Sequence, residues 1–321
     1  MNKISWGIIG CGDVTEIKSG PAFNLVPNSE LVAVMRRDGI KAEDYAKRHG
    51  VKKWYTDANE LINDAEINAI YIATPPAYHE AYALHAFKAG KSVYVEKPMA
   101  LDSIEAERMD KAATDYSCKF SVAHYRRAQP KFLRILNLIK KGSIGDIRSG
   151  KIIYKQAFQP GSEHTWRINP AISGGGLFHD LAPHQLDLMV YFLGFPLVTG
   201  GESLNKANLY EADDNIHADI LFENNIRITG SWDFNARLED ETDICEITGT
   251  NGKIRFAVFG NLCELVVDEK LEQLEFDHLR HVQQPMIEQV VKYFRGETIN
   301  PCSGKEGVEV MKMMDQITGK L

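Results

Sequence analysis

The densest chemistry in this chain is the run Ser173-Gly174-Gly175-Gly176-Leu177-Phe178-His179-Asp180-Leu181-Ala182-Pro183-His184. Its glycines let the backbone come close to a ligand. Asp180 and His184 are four residues apart and share one face of a helix. A carboxylate there can fix an imidazole tautomer while the imidazole transfers a proton near neutral pH. The plainer reading is a capping aspartate and a satisfied helix histidine. A metal site from His179, Asp180 and His184 is disfavoured, because adjacent His179 and Asp180 diverge on a helix. Glu163, His164, Trp166 and Arg167 lie just upstream, where a ring and a guanidinium can line a pocket for a polar substrate. Asp187 reads as a helix-surface or capping partner.

Two further segments read as loops at one rim of a sheet. Ala73-Thr74-Pro75-Pro76 with His79 ends one candidate strand, and Glu96-Lys97-Pro98 ends the next. The carboxyl edge of a parallel sheet is where ligands bind, and a lysine there can reach a substrate as acid or hydrogen-bond donor. Near the amino terminus, Gly10-Cys11-Gly12 follows an apolar strand, and Asp13 and Val14 open a helix. That arrangement suits a pyrophosphate on a helix N-terminus. Thr15 stands at the third fingerprint position, where glycine or alanine is usual. After the second strand come Arg36 and Arg37, and the first acid is Asp38. A carboxylate would repel a 2′-phosphate, whereas guanidinium groups fork onto it, so the turn predicts NADP, with NAD as the alternative.

The first third of the chain alternates apolar runs (4–9, 30–35, 69–73, 92–95, 119–123) with helical patterns (13–25, 40–49, 77–89, 104–116). Unbroken apolar strands between amphipathic helices signal a parallel sheet covered on both faces. Ser103 is the expected N-cap of the last of these helices. Residues 1–122 therefore read as a doubly wound dinucleotide-binding domain. From 123 to 321 the rhythm changes to a helix (129–141), a strand (146–156), a helix (180–193) and period-two strands (215–222, 226–234, 242–248, 253–256, 262–267). Asn224-Asn225 and Asn251-Gly252 are turn dipeptides between strands. Residues 123–321 read as an α+β domain, one face of its sheet covered by helices such as 283–294 and 305–317. Trp232 and Phe234 are expected to serve a second, outward surface.

The 321 residues suffice for two domains, each with its own core. The chain is 44% apolar and 25% charged, which excludes disordered, collagen-like and disulfide-scaffold classes. A net charge of −7 gives no basic footprint for nucleic acid. No apolar segment is long enough to span a bilayer, and the start reads as a buried strand rather than a signal peptide. Five dispersed cysteines without a C-x-x-C pair fit reduced thiols and predict a cytoplasmic protein.

Together the G-C-G turn, the A-T-P-P…H loop, Glu96-Lys97-Pro98, Trp166-Arg167 and the G-G-G-x-F-x-D-x-x-x-H stretch ending at His184 resemble the glucose–fructose oxidoreductase / inositol dehydrogenase (Gfo/Idh/MocA) family. The resemblance covers nearly the whole chain. It implies a Rossmann domain followed by an open, largely antiparallel sheet that is frequently used for dimerisation. It also implies nicotinamide-dependent oxidation or reduction of a sugar, cyclitol or related diol. The catalytic roles then fall on Lys97, Asp180 and His184. The cofactor contacts fall on Gly10, Cys11, Gly12, Asp13, Val14, Arg36, Arg37, Thr74, Pro75, His79, Glu96, Lys97 and Pro98. Tyr125, Arg126, Trp166 and Arg167 join Lys97, Asp180 and His184 in substrate binding. Two positions depart from the family pattern: Thr15, and Ala182, where glycine often precedes the histidine. Two rival readings are an NAD-dependent glycoside hydrolase of the same family and a non-catalytic dinucleotide sensor.

Overall fold

The computed structural model describes residues 2–161 and 165–320, which form two compact units. The first comprises residues 1–129 and 279–308, the second residues 130–278 and 309–321. The first unit begins with β1 (Ile4–Ile9), α1 (Asp13–Ile17), α2 (Ala22–Leu25), β2 (Ser29–Met35) and α3 (Gly39–His49). It continues through β3 (Lys53–Tyr55), α4 (Ala58–Asn63), β4 (Ala69–Ile72), α5 (His79–Lys88), β5 (Ser92–Val95), α6 (Ser103–Asp115) and β6 (Phe120–Val122). The strands form one parallel sheet in the order β3-β2-β1-β4-β5-β6. In the register Ile9 faces Met35 on one side and Ile72 on the other. Gly10, Arg36 and Ala73 thus leave the sheet at one end, where the strand order reverses, the binding point of such sheets.

Local chemistry sets the breaks. The expected helix over 13–25 divides into α1 and α2, because Ser19-Gly20-Pro21 cannot continue it. A Cβ on Gly20 would come within 2.2 Å of both the Thr15 carbonyl oxygen and the Tyr45 hydroxyl. The N-cap of α6 is Asp102, not Ser103: its extended backbone lets the carboxylate accept from the Glu105 amide at 2.8 Å. Ser103 is the first helical residue and is buried. The core is aromatic, with Trp6 against Phe23 at 4.8 Å and Phe23 against Tyr71 at 5.1 Å.

The second unit runs α7 (Pro130–Lys140), β7 (Ile147–Ala157), α8 (Pro170–Ser173), α9 (Gly176–Leu193), β8 (Val198–Leu204), β9 (Asn215–Leu221) and β10 (Arg227–Ala236). β11 (Thr242–Gly249), β12 (Gly252–Phe256), β13 (Cys263–Val267) and β14 (Lys270–Gln273) complete its sheet, ordered β14-β13-β12-β11-β7-β10-β9-β8. Every pairing is antiparallel except β7 with β10. Trp232 and Phe234 do not face outward as expected. Both are fully buried, with Trp232 packed on Phe178 of α9 at 5.1 Å and donating from its indole to Gln185 at 2.8 Å. The alternate, outward residues of β9 and β10 are polar, including His217, Asp219, Arg227 and Thr229.

The last helices are α10 (Gln284–Arg295) and α11 (Gly304–Ile317). Helix α10 was expected on the second sheet but belongs to the first unit, where Phe294 packs on Trp6 at 5.5 Å. The apolar stripe of α10 fits either sheet equally well, so periodicity alone does not choose its partner.

Candidate active site

The glycine turn lies between β1 and α1. The amides of Gly10 and Cys11 both donate to the Met35 carbonyl, at 2.9 and 3.2 Å. Gly10 has φ +96°, and a Cβ there would meet Thr74 at 2.9 Å, so only glycine fits. Gly12 differs: a Cβ would find nothing nearer than 3.9 Å, which leaves room beside the backbone for a ligand. Thr15 explains its own departure from the fingerprint. Its hydroxyl donates to the Gly12 carbonyl at 2.8 Å and accepts from the Gly12 amide at 3.0 Å, capping α1. Asp13 is exposed and Val14 half-buried at the start of that helix. Cys11 is buried, and burial pushes its thiol up to about 11, far from a reactive thiolate.

Arg36 folds over this turn, its guanidinium donating to the Cys11 carbonyl at 3.2 Å. Arg37 is exposed and lies over the Tyr78 ring, 5.4 Å from its centroid. Asp38 is engaged elsewhere. Its carboxylate caps α3 by accepting from the Lys41 amide at 3.2 Å, and that bond holds its pKa below the usual value. Across the strand ends, the Thr74 hydroxyl oxygen is buried and finds no hydrogen-bond partner among the described residues. An open glycine, two guanidinium groups and an orphaned hydroxyl suit a phosphorylated dinucleotide.

The two rim loops are tied from beneath. His79 is fully buried, with Nε2 2.7 Å from the Thr74 carbonyl oxygen and Nδ1 3.1 Å from that of Pro98. Burial lowers its pKa. Sequence reasoning put His79 on the cofactor; the structure encloses it under the loops that carry Thr74, Pro75, Lys97 and Pro98. Glu96 is also buried, and its carboxylate accepts from the Tyr71 hydroxyl, from Gln283 Nε2 at 2.6 Å and from the Lys97 amide at 3.1 Å. Tyr71 and Gln283 escaped the sequence reading because Gln283 reaches Glu96 across 187 residues of chain. Lys97 is half-buried beside this network. Tyr125 is buried, and the Arg126 guanidinium lies 5.5 Å from its ring centroid.

In the second unit, Asp180 and His184 lie one turn apart on α9. Arg167 donates to Asp180 at 3.2 Å and stacks over Trp166 at 4.6 Å, so three of the expected residues meet. His184 is buried with its ring 5.5 Å from that of Phe259. Ser173 orders the approach to the helix by accepting from the Gly176 amide at 2.8 Å. His179 is buried; desolvation, reinforced by Lys320, pushes its pKa down to about 3. Glu163 and His164 lie outside the described residues. The structure also shows a concavity that the sequence did not reveal, at the end of β7 beside Phe259.

Comparison with known proteins agrees with this architecture. The model of an oxidoreductase family with an NAD-binding Rossmann fold matches residues 4–124, and that of the GFO/IDH/MocA C-terminal domain matches residues 132–255. The chain belongs to the Gfo/Idh/MocA family of oxidoreductases. It is 44% identical to oxidoreductase P35 of Formosa agariphila, over 99% of both chains. It is 27% identical to scyllo-inositol 2-dehydrogenase (NADP(+)) IolW of Bacillus subtilis, over 68% of this chain and 59% of that protein. A levoglucosan dehydrogenase complex with NADH and levoglucosan shares the fold, with TM-score 0.87 and 22% identity over 98% and 96% of the two chains. Among the described residues, no helix is long and apolar enough to cross a membrane.

Proposed function

We propose that this chain is an NADP-preferring oxidoreductase that interconverts a hydroxyl and a carbonyl carbon on a sugar, cyclitol or related diol. The carrying observation is the turn after β2: Arg36 lies over the glycine turn, while the first acid after the strand, Asp38, is engaged in capping α3. Gly10, Gly12, Arg36, Arg37 and Thr74 would hold the dinucleotide, and nicotinamide supplies the hydride acceptor or donor when bound. Lys97 hydrogen-bonds the reacting oxygen. His184 exchanges the hydroxyl proton, and Asp180, held by Arg167, balances its charge. His79 and Glu96 act as positioning residues for the rim loops. The balance is alcohol plus NADP⁺ giving carbonyl, NADPH and one proton.

The relatives named above for scyllo-inositol and levoglucosan support the substrate class. Titrating the protein with NADPH and NADH tests the cofactor. NADPH should bind at least tenfold tighter, and equal affinities would overturn the preference. Incubation with NADP⁺ and a panel of inositols, sugars and anhydrosugars, read at the nicotinamide absorbance, tests the reaction.

Free cysteines throughout the described residues support a cytoplasmic setting. We read the chain as a homodimer through the outward face of the second sheet. That face carries both signs of charge, with Lys151 and Lys253 each 3.3 Å from Glu246, and can be self-complementary. Light scattering at micromolar concentration should give twice the chain mass; a single-chain mass would reject the assembly.

A further inference from the structure

Gln283 stands just before α10, almost wholly buried, and its main chain and side chain hold different parts of the first unit. The Gln283 amide donates to the Lys18 carbonyl at 3.1 Å, and His281 Nδ1 lies 2.6 Å from the Ile17 carbonyl oxygen. This stretch therefore secures the carboxyl end of α1, the helix that starts at the glycine turn. Gln129 steadies it in turn, donating from Nε2 to the Val282 carbonyl at 3.1 Å.

The Gln283 side chain serves the loop that carries Lys97. Its Nε2 donates to Glu96 Oε1 at 2.6 Å, and the Tyr71 hydroxyl donates to the same oxygen. Glu96 Oε2 accepts from the Lys97 amide at 3.1 Å. Two donors thus pin one carboxylate oxygen, and the other oxygen then meets the first amide of the loop. Tyr71 is fully buried, and its hydroxyl also lies 3.2 Å from Ser19 Oγ, just past the end of α1.

Packing alone does not call for an amide at position 283. Gln283 Oε1 is buried and finds no hydrogen-bond partner among the described residues, and an unpaired buried acceptor costs free energy. A methionine would fill a similar volume with no polar atom to strand. The ring of Tyr71 likewise packs on Phe23 at 5.1 Å and on Tyr94 at 5.3 Å, contacts that need no hydroxyl. What the polar ends of both side chains share is Glu96. Its buried carboxylate needs donors, and the three it has here are neutral groups that orient it through hydrogen bonds.

We propose that Gln283 and Tyr71 are positioning residues for Lys97: acting through Glu96, they set the place of the lysine loop relative to the glycine turn, and so to a dinucleotide bound there. This rests on the reading of the chain as a nicotinamide-dependent oxidoreductase with Lys97 at the reacting oxygen.

The test compares wild type, Gln283→Met and Tyr71→Phe by amide hydrogen exchange, by NADPH titration and by NADP⁺-linked oxidation of myo-inositol, D-glucose and levoglucosan. Each variant removes one donor from the same Glu96 oxygen, so if one fails to fold the other carries the same comparison. The Lys97 amide should exchange about tenfold faster, while the Glu96 amide, which donates to the Ile72 carbonyl at 2.9 Å, keeps its rate. NADPH affinity should stay within about twofold, because the main chain of residue 283 still holds α1, and kcat should fall about tenfold, by more than KM rises. An unchanged Lys97 rate, or an equal rise at Glu96, means that the two side chains only support the fold and overturns the proposal. Faster exchange at Lys97 with unchanged kcat overturns it as well. Wild type that binds no dinucleotide, or oxidises none of the three substrates, overturns the oxidoreductase reading, and the exchange rates then decide whether Gln283 and Tyr71 place the lysine loop.

Discussion

The rim of the first unit and the α9 face of the second use different materials. At the rim, backbone carries the geometry and buried polar side chains brace it: Gly10 turns where a Cβ would strike Thr74, His79 ties two loops, and Glu96 gathers three donors. On α9 the side chains proposed to react, Asp180 and His184, stand on one helix, and their neighbours Arg167 and Phe259 arrive on loops. A backbone-built region tolerates little change in shape and, on the proposed function, leaves chemistry to one group, Lys97. A side-chain-built region can change what it recognises while Asp180 and His184 stay in place. Cofactor binding should therefore be sensitive to the rim alone, and substrate choice to the loops of the second unit.

The largest expected effect separates chemistry from binding. Lys97→Met should lower kcat by about 10²–10⁴-fold and leave NADPH affinity within a few-fold, because the glycine turn and Arg36 are untouched. His184→Asn should lose a similar factor with no change in NADPH affinity. Unchanged kcat in either variant would remove that residue from the chemistry. A large loss of NADPH affinity in His184→Asn would break the comparison itself.

The next effect belongs to the rim. One charge-assisted contact to a 2′-phosphate contributes about 1.5–3 kcal/mol, roughly ten- to a hundredfold in affinity. Arg36→Ala with Arg37→Ala should weaken NADPH by that factor and NADH by less than threefold. The difference should shrink as salt rises. An equal loss for both cofactors would mean that the guanidinium groups brace the turn rather than read the phosphate.

The same contrast decides what the sequence made legible. Gly10, Gly12, Arg36, Thr74 and Glu96 each sit within a few residues of a strand end, and buried apolar runs mark those ends clearly. The family motif on α9 was equally local. Phe259 and Gln283 acquire meaning only when distant strands and helices meet, so no spacing announces them. Strands β3, β8 and β14 were also missed. They are sheet edges, and β14 is exposed along its whole length, so they lack the apolar pattern that burial imposes. Thr15 shows the reverse case, a motif departure that three-residue geometry explains in full.

The smallest effect concerns acid stability in the second unit. His179 sits where a Cβ on Gly175 would come within 2.2 Å of its ring, and its Nε2 is 3.4 Å from Lys320 Nζ. Burial and the ammonium hold its folded pKa down to about 3, whereas the unfolded chain titrates near 6.5. Between those values the unfolded state binds a proton that the folded state refuses. Stability from this group is therefore fully present above pH 6.5 and falls as the solution is acidified, by about 1.4 kcal/mol per pH unit. Gln in place of His keeps an acceptor toward Lys320 and removes the titration. His179→Gln should cost a little at pH 7.5 through altered packing. On moving to pH 5.5 its Tm should fall less than that of wild type, by roughly 2–4 °C. Calorimetric scans of both proteins at the two pH values decide it: parallel falls would mean that the acid sensitivity of this chain resides elsewhere, with buried His79 of the first unit the next residue to replace.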